Sequence, residues 1–174
     1  MPAPASERAR RRVDAEATLR ALGRQGVRVA LLRVPGIYAA DRPGGAPRER
    51  LLRGTPLLRQ EDDVYVSHIH ADDLARACVL ALWRARPQRV CNVADDSSLL
   101  MGDYFDLAAD GYGLPRLPRI ARDRAQRELT PAMLSFLGES RRMVTRRMRQ
   151  ELRLRLRYPN VREGLAATAQ GQRG

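Results

Sequence analysis

Residues 27–38, VRVALLRVPGIY, contain the segment that decides the fold. Val27–Leu32 is short, branched and nearly all apolar, which is typical of a strand buried in a parallel sheet. Pro35 and Gly36 end this strand. Val90–Val93 has the same character and predicts a second buried strand. The two segments together indicate an α/β protein.

Helical segments lie on both sides of these strands. Glu7–Leu22 predicts a helix that ends at Gly23, a natural C-terminal stop. A second helix, capped by Asp72 or Asp73, is predicted from the amphipathic spacing of Leu74, Ala77, Cys78, Ala81 and Leu82. The remaining predicted elements are a strand at Val64–Ile69 and helices at Arg48–Arg53, Gly102–Tyr112, Pro131–Leu137 (capped by Thr130) and Thr145–Leu152.

Charge is the unusual feature of the composition. The 174 residues include 32 basic and 20 acidic ones, a net charge of +12, and every basic residue is arginine. Residues 116–162 hold fourteen arginines against four acids. A basic chain suggests nucleic acid or a membrane surface as partner, but abundant Ala, Gly, Pro and Arg without Lys is also typical of GC-rich coding. Without lysine, no Schiff base and no lysine acid or base is available.

Length and targeting signals restrict the class of protein further. A chain of this length predicts one domain, or one domain with a tail. No apolar run of about 18 residues and no signal peptide is present, so the cytoplasm is the expected location. We expect a Rossmann-like region at 1–115, an Arg-rich helical portion at 116–168 and a frayed tail at 169–174. The two cysteines, Cys78 and Cys91, form no CxxC motif and are expected to be buried.

Four segments, in this order and spacing, resemble the second half of the extended short-chain dehydrogenases/reductases, the NAD-dependent epimerase/dehydratase type. They are ARRRVDAEATLRA, VALLRVPGIYAADR, YVSHIHADDLARACVLAL, and RVCNVADD with DYFDLAADGYGLPRLPR. The C-terminal SRRMVTRRMRQELRLRLRYPNVREGL is also similar to the final segment of that family, and the whole resemblance covers about residues 8–167. It implies a partial Rossmann-like parallel sheet with flanking helices and a small C-terminal substrate-binding portion. It also implies NAD or NADP, hydride transfer and a substrate like a nucleotide-linked sugar.

The sequence departs from this family at two places that matter for chemistry. The glycine-rich phosphate loop, GxxGxxG, is absent, and Gly44-Gly45 lies in a loop with no strand before it. The family's catalytic Tyr and Lys positions fall on Arg8 and Arg12, and a guanidinium stays protonated and cannot replace a phenol in proton transfer. We therefore assign no catalytic residue. The chain is expected to be a truncated or mis-started half that is inactive without a cofactor-binding half.

The candidate site residues follow from the resemblance. Pro35, Gly36 and Ile37 match the loop whose backbone lies beside the nicotinamide, although a strand-ending turn would have the same sequence. Arg12 would hydrogen-bond the ribose hydroxyls, or else belong to a solvated basic face of the first helix. The substrate cleft is expected to be faced by Tyr38 and by Arg42, which could pair with a phosphate or carboxylate.

Two other polar clusters are interpreted as structural. His68 and His70 are two residues apart on a strand, which would suit two metal ligands, but no third ligand cluster appears and no metal site is predicted. His70 is expected to support the strand-to-helix turn, with Asp73 capping the helix or pairing with an arginine. Asp95-Asp96 is interpreted as a turn.

An alternative interpretation makes the chain a non-enzymatic module that binds anions or nucleic acid through residues 116–162. Such binding would weaken strongly with salt. The scarcity of aromatic residues argues against it, because single-stranded nucleic acid binds on stacking platforms. If the chain instead belongs to an oxidoreductase of the epimerase/dehydratase type, the full-length form would pair as a homodimer through the active-site helix. No membrane partner is expected.

The sequence predicts how the isolated chain will behave in solution. If a cofactor half normally covers the first helix and Val27–Leu32, the chain exposes an apolar patch and an open strand edge, which both promote association. We expect aggregation or marginal folding in light scattering and thermal melting, despite the net charge of +12. A monodisperse monomer with one sharp, reversible transition would contradict this.

Overall fold

Short strands alternate with helices within residues 6–39 and 47–171, which the computed structural model describes. The helices are α1 (Glu7–Arg24), α2 (Arg48–Leu52), α3 (Ala71–Arg84), α4 (Met101–Tyr112), α5 (Arg122–Glu128), α6 (Pro131–Leu137), α7 (Arg146–Gln150) and α8 (Val161–Gly171). The strands are β1 (Ala30–Arg33), β2 (Gly36–Tyr38), β3 (Leu57–Leu58), β4 (Tyr65–Val66), β5 (His68–His70), β6 (Arg89–Asn92), β7 (Leu99–Leu100) and β8 (Arg119–Ile120). None of these helices, in the described ranges, could cross a membrane.

The strands pair mainly in parallel. β1 pairs with β6, with Leu32 opposite Cys91, while β2 pairs with β5 and β3 with β8. Only the β4–β7 pair in the described ranges is antiparallel. Parallel pairs between helices confirm the predicted α/β class with a partial Rossmann-like sheet.

Two predicted strands differ from the observed ones. β1 begins at Ala30 rather than at Val27, because the Val27 N–H donates to the Leu22 carbonyl in the turn that leaves α1. The strand predicted at Val64–Ile69 is two strands, β4 and β5, that pair with different partners on either side of Ser67. The Ser67 carbonyl accepts from the Gly36 N–H at 3.3 Å, while its hydroxyl accepts from the Met143 N–H at 3.1 Å.

Helix α3 begins in a different way from the prediction. Neither Asp72 nor Asp73 caps it; the His70 imidazole does, because Nδ1 accepts from the Asp72 N–H at 3.2 Å. His70 thus supports the strand-to-helix turn, as predicted. Asp73 is fully buried in the first turn and pairs with Arg76 at 2.9 Å, which confirms its predicted partnership with an arginine.

The outer surface of α3 is more apolar than the prediction allowed. Leu82 is 77% exposed and Cys78 is exposed, so neither belongs to the core, whereas Cys91 is buried as expected. The helix is amphipathic in sequence, but its buried face is narrower than the predicted apolar face and contains Asp73 and Ala77. Helical spacing alone cannot show which edge of an apolar stripe meets the sheet.

The apolar side chains form two cores. One lies around α4 and α8 and includes Tyr104, Ile120 and Val161. The other lies beneath β5 and β6 and joins Cys91 to Met148 of α7. Each core contains residues from both sides of position 115, and the division of the chain into portions at that position stays a prediction.

The C-terminal portion holds two helices that the sequence analysis did not predict, α5 and α8. Thr130 caps α6 through the Met133 N–H, as predicted, and Gly113 ends α4 in the left-handed conformation (φ 63°). Helix α8 begins soon after Pro159 and continues to Gly171, so the first residues of the tail expected to fray from Ala169 are helical. The rest of that tail, 172–174, lies outside the described residues.

The packing of α8 generates a stability prediction. Gly164 lies directly against the Tyr38 hydroxyl, and a Cβ at position 164 would overlap it. Gly164→Ala should therefore lower the free energy of unfolding by about 1–3 kcal/mol, since neither the α8 backbone nor the buried Tyr38 ring can shift freely to make room for the added methyl group. Urea unfolding measures the change.

Gly111→Ala is the matched control for that substitution. Gly111 lies in α4 with open space where a Cβ would be, so alanine should leave stability unchanged or raise it by about 0.5–1 kcal/mol. Equal stability of the Gly164→Ala protein and the wild type would show that α8 is not packed on Tyr38.

Candidate functional site

The residues expected beside a nicotinamide lie where the chain passes from β1 into β2. Pro35 follows β1, and Gly36 and Ile37 open β2. Gly36 is exposed, Pro35 and Ile37 are half-buried, and a Cβ on Gly36 would come within 3.0 Å of the His68 Cδ2. This segment follows the carboxyl end of β1, which pairs in parallel with β6, and ligands of open parallel sheets bind at such edges.

Helix α1 is held to the rest of the chain by ion pairs rather than by a buried face. No residue of it is buried. The Glu16 carboxylate accepts two hydrogen bonds from Arg33, both at 2.7 Å. Near its start, Ser6 donates to Glu139 at 2.9 Å, and the Arg8 guanidinium lies 3.9 Å from the ring centroid of Phe136. The bidentate pair between Arg33 and Glu16 fixes the orientation of α1 on the chain. The helix is therefore held in place although its apolar side is uncovered.

Arg12 and Arg8 differ in their surroundings. Arg12 is exposed on α1, and no hydrogen bond or ion pair joins it to another described residue. Arg8, in contrast, is half-buried against Glu139 and Phe136, so the two arginines do not form one solvated face. Arg42 lies outside the described residues.

Tyr38 does not face a cleft in this structure. Its ring is 1% exposed and packs edge-on against His70 and His68, with centroid distances of 5.3 and 6.3 Å. Gly164 of α8 covers its hydroxyl. The sequence placed Tyr38 correctly after the strand but did not reveal the helix that covers it, so a substrate could reach Tyr38 only if α8 moved.

A cluster of buried aromatic and titratable groups lies around Tyr38. His68 stacks on Tyr104 at a centroid distance of 3.9 Å, and His70 lies 4.0 Å from Tyr158. Asp95 is 5% exposed; its Oδ1 accepts from the Ser97 N–H at 2.9 Å, which confirms the predicted turn. This cluster was missed by the sequence analysis, because its members, Tyr38 included, come from five separate segments of the chain.

Burial shifts the ionisation of this cluster. It raises the pKa of Asp95 to about 7 and lowers that of His68 to about 4, because neither group can be hydrated when charged. Burial, with the neighbouring Asp95 charge, also raises the pKa of Tyr38 far above its usual range. Among the described residues, neither the Tyr38 hydroxyl nor the Asp95 Oδ2 has a hydrogen-bond partner.

The basic segment 116–162 is largely engaged in contacts within the chain. Arg119 donates to Asp106 at 2.8 Å, Arg116 pairs with Asp110 at 2.8 Å, and Arg147 donates to the Val90 carbonyl at 2.7 Å. Guanidinium groups that hold other elements together are less available to phosphates. The pattern therefore does not favour the interpretation of this segment as a nucleic-acid-binding surface.

The described residues do not provide a whole site for a dinucleotide cofactor. The exposed backbone at Gly36 suits the approach of a flat ring. No glycine-rich loop exists in the sequence to hold a pyrophosphate, and Arg8 and Arg12 stand where a proton-transfer Tyr–Lys pair is expected. The residues present thus do not fit a whole NAD(P) molecule. Among the described residues, no three His, Cys, Asp or Glu side chains gather as metal ligands.

Comparison with solved structures identifies the fold. A conserved protein of unknown function from Silicibacter pomeroyi matches 99% of this chain at 32% identity, with a TM-score of 0.85. A nucleoside-diphosphate-sugar epimerase from Pseudomonas aeruginosa matches 99% at 18% identity (TM-score 0.79). A dTDP-glucose 4,6-dehydratase from Bacillus anthracis, solved in complex with NAD, matches 98% at 17% identity (TM-score 0.72). No family model and no curated protein matches the chain.

These likenesses show that the chain has the fold of the NAD(P)-dependent epimerase/dehydratase structures. The resemblance found in the sequence is confirmed at that level. The chain spans 58% of the length of the S. pomeroyi protein, 58% of the epimerase and 53% of the dehydratase.

The buried carboxyl group generates a pH-dependent prediction. Because the pKa of Asp95 rises to about 7 on folding from an ordinary value of 3.8, the folded state binds more protons than the unfolded state between those values. The Asp95 contribution to stability is therefore lost as pH rises from about 4 through 7. Asp95→Asn keeps the acceptor for Ser97 and should be about 1–3 kcal/mol more stable than the wild type at pH 8, with the difference vanishing near pH 4.

Thermal and urea unfolding from pH 4 to 8 test this prediction. His68 contributes in the opposite direction, since its lowered pKa makes stability fall as pH drops from about 6.5 to about 4, so the comparison must be between variant and wild type at each pH. Asp103→Asn, on an exposed carboxylate, is the control and should show no such trend. A constant difference across the pH range would mean that Asp95 is ionised in the folded protein.

Proposed function

We propose that this chain, which has the fold of the extended short-chain dehydrogenases/reductases, supplies the substrate-side portion of an NAD(P)-dependent oxidoreductase acting on a nucleotide-linked sugar. The observation that carries the proposal is the likeness of fold along almost the whole chain to epimerase and dehydratase structures. The S. pomeroyi likeness supports it less directly, because the function of that protein is unknown.

In the proposed enzyme, the segment after β1 forms the nicotinamide side of the active site. The exposed backbone at Pro35–Ile37 lies against the ring, and Arg12 donates to ribose hydroxyls from α1. Arg42 pairs with a phosphate or carboxylate of the substrate. Tyr38 and the buried His68 support this edge from behind. NAD or NADP supplies the hydride chemistry when bound.

Turnover is proposed to require a second, glycine-rich portion that this sequence lacks. The pyrophosphate of a dinucleotide is normally held by backbone N–H groups at a helix N-terminus that follows a glycine-rich turn. Without that cradle, the nicotinamide edge alone contributes too little binding energy to hold the cofactor. The chain alone should therefore be inactive.

Calorimetric titration of the 174-residue protein with NAD(H) and NADP(H) tests this requirement. We expect a dissociation constant of about 1 mM or weaker, since one edge of a site supplies only a few kcal/mol. Micromolar binding by the chain alone would contradict the need for a second portion. Reading the coding DNA upstream of Met1 for an in-frame GxxGxxG is an independent check.

A chimaera tests the proposed role of the chain directly. The part of the S. pomeroyi protein that this chain does not match is fused to the present sequence, and NAD(P)H binding and nucleotide-sugar-dependent changes in cofactor absorbance are measured. We expect micromolar cofactor binding by the chimaera, weakened roughly tenfold by Gly36→Val, because a side chain there meets the buried His68 ring and displaces the backbone proposed to lie beside the nicotinamide. Thermal melting separates this effect from misfolding, and a chimaera that folds without binding either cofactor would overturn the proposal.

A further inference from the structure

The outer side of α3 carries an uncovered apolar surface. Its three large side chains are exposed, Trp83 by 81%, Leu82 by 77% and Val79 by 57%. Ala75 and Cys78 on the same helix are exposed as well. We call these five residues the α3 stripe. A protein chain rarely leaves a large contiguous apolar surface in water unless that surface binds something.

Helical geometry places the α3 stripe opposite the sheet. Its members are three or four residues apart along the sequence, so they are neighbours along the helix surface. Asp73 and Ala77 lie on the opposite side of the helix and are fully buried, where α3 packs against β1, β2 and β5. The stripe therefore forms the outside of the helix layer.

The size of the α3 stripe suits the centre of a protein–protein interface. Full burial of an aromatic side chain removes about 150–250 Å² from water. On that scale, the exposed parts of Trp83, Leu82 and Val79 add up to roughly 400 Å². A stable interface buries roughly 800 Å² on each partner, and somewhat more than half of that area is apolar. The stripe can supply this apolar part, with the polar residues around it as the rim.

Opposite charges lie at the two ends of the α3 stripe. Asp72 is exposed in the first turn of the helix, and Arg86 is exposed just after the last turn. Val79 is midway between them in the sequence. If two copies of α3 lie antiparallel with Val79 at the centre, Asp72 of each copy meets Arg86 of the other. A parallel arrangement would instead place like charges together.

Arg76 and Trp83 give the same arrangement a second complementary contact. They are two helical turns apart along one edge of the α3 stripe, and Arg76 keeps its guanidinium partly exposed while it pairs with Asp73. In the antiparallel arrangement, Arg76 of one copy lies beside Trp83 of the other. A guanidinium over an indole ring is a favourable contact, and it is strongest with tryptophan.

We propose that the α3 stripe is the surface through which two copies of this chain form an antiparallel dimer with two-fold symmetry. A two-fold axis requires a surface that is complementary to itself, and both the charged ends and the Arg76–Trp83 edge meet that requirement. The residues at the centre of the dimer are Val79 and Leu82.

This dimer is independent of the proposed function. β1 is paired on one side, with β6, and strands of a second portion would extend the sheet in its own plane beyond β1. Such strands do not cover the outer side of a helix that already lies on the sheet. The surface also differs from α1, the helix through which the family resemblance implies pairing.

Trp83 is the only tryptophan of the chain, so its fluorescence reports on this surface. We expect the emission of the 174-residue protein to shift to shorter wavelength as the concentration rises through the micromolar range, because the indole leaves water on pairing. Association through the uncovered α1 would leave that emission unchanged. Sedimentation equilibrium on the same samples should show the corresponding dimer.

Two matched substitutions test which surface pairs. Leu82→Glu should weaken the dimer at least roughly tenfold, because it buries a charge without a partner at the centre of the interface. Val13→Glu makes the same kind of change at an exposed apolar position of α1 and should leave the Trp83 shift unaltered. Both side chains are exposed in a single copy, so dilute samples of both variants should melt like the wild type.

A charge exchange tests the antiparallel arrangement. Arg86→Asp and Asp72→Arg should each weaken the dimer several-fold, because each places like charges together at both ends of the interface. The protein with both substitutions should regain most of the lost affinity, since the pairs are then restored in reverse. Thermal melting of each variant separates a loss of pairing from a loss of folding.

Three results would overturn the proposal. The first is a Trp83 emission that does not change with concentration, which would leave this surface to a partner of another kind. The second is an equal effect of Leu82→Glu and Val13→Glu on the shift. The third is a double charge exchange that pairs no better than the single ones, which would exclude the antiparallel arrangement.

Discussion

The carboxylate of Asp73 holds the loop at Arg157 and Tyr158 against the start of α3. It is fully buried, and it accepts from the backbone N–H groups of Arg157 and Tyr158 at 2.8–3.0 Å while pairing with Arg76. Removing one partner from such an arrangement leaves a buried charge without compensation, which is strongly destabilising. The contact therefore anchors the loop before α8 to the start of α3, although the two are far apart in sequence.

Two features of the molecule depend on that anchor. One is the closure of α8 over Tyr38, where Gly164 lets the helix approach the ring and seals the cluster that contains Asp95 and His68. The other is the path of the loop at residues 151–158, which ends at the anchored Arg157 and buries Leu152 and Leu154 while Arg153 and Arg155 are exposed. The buried region with two groups that burial drives toward neutrality is thus covered by a helix whose preceding loop is anchored at Asp73.

The high arginine content has a structural explanation that composition does not reveal. Arg33 positions α1 through Glu16, Arg119 bridges β8 to α4 through Asp106, and Arg84 donates to the Leu152 carbonyl. A guanidinium has five donors in a rigid fork, so one side chain can satisfy carboxylates and carbonyls that belong to different elements. These arginines replace part of the apolar packing that α1 in particular does not have. Net charge is therefore a poor guide to the partners of this chain.

The sequence by itself determined the α/β class, the helices α1, α4 and α6 nearly to the residue, and the resemblance to the epimerase/dehydratase fold, because periodicity, caps and motif order are local properties. It also identified the turns at His70 and Asp95. Only the tertiary structure decided that Tyr38 is covered, that Leu82 faces outward, that α8 exists as a helix packed on the ring, and that Arg153 adopts a left-handed backbone. The first three depend on contacts between residues distant in sequence, and such contacts leave no periodic signal within either segment. The turn at Arg153 is local, closed by the Leu152 and Leu154 N–H groups on carbonyls of α7, but without a glycine the sequence does not mark it.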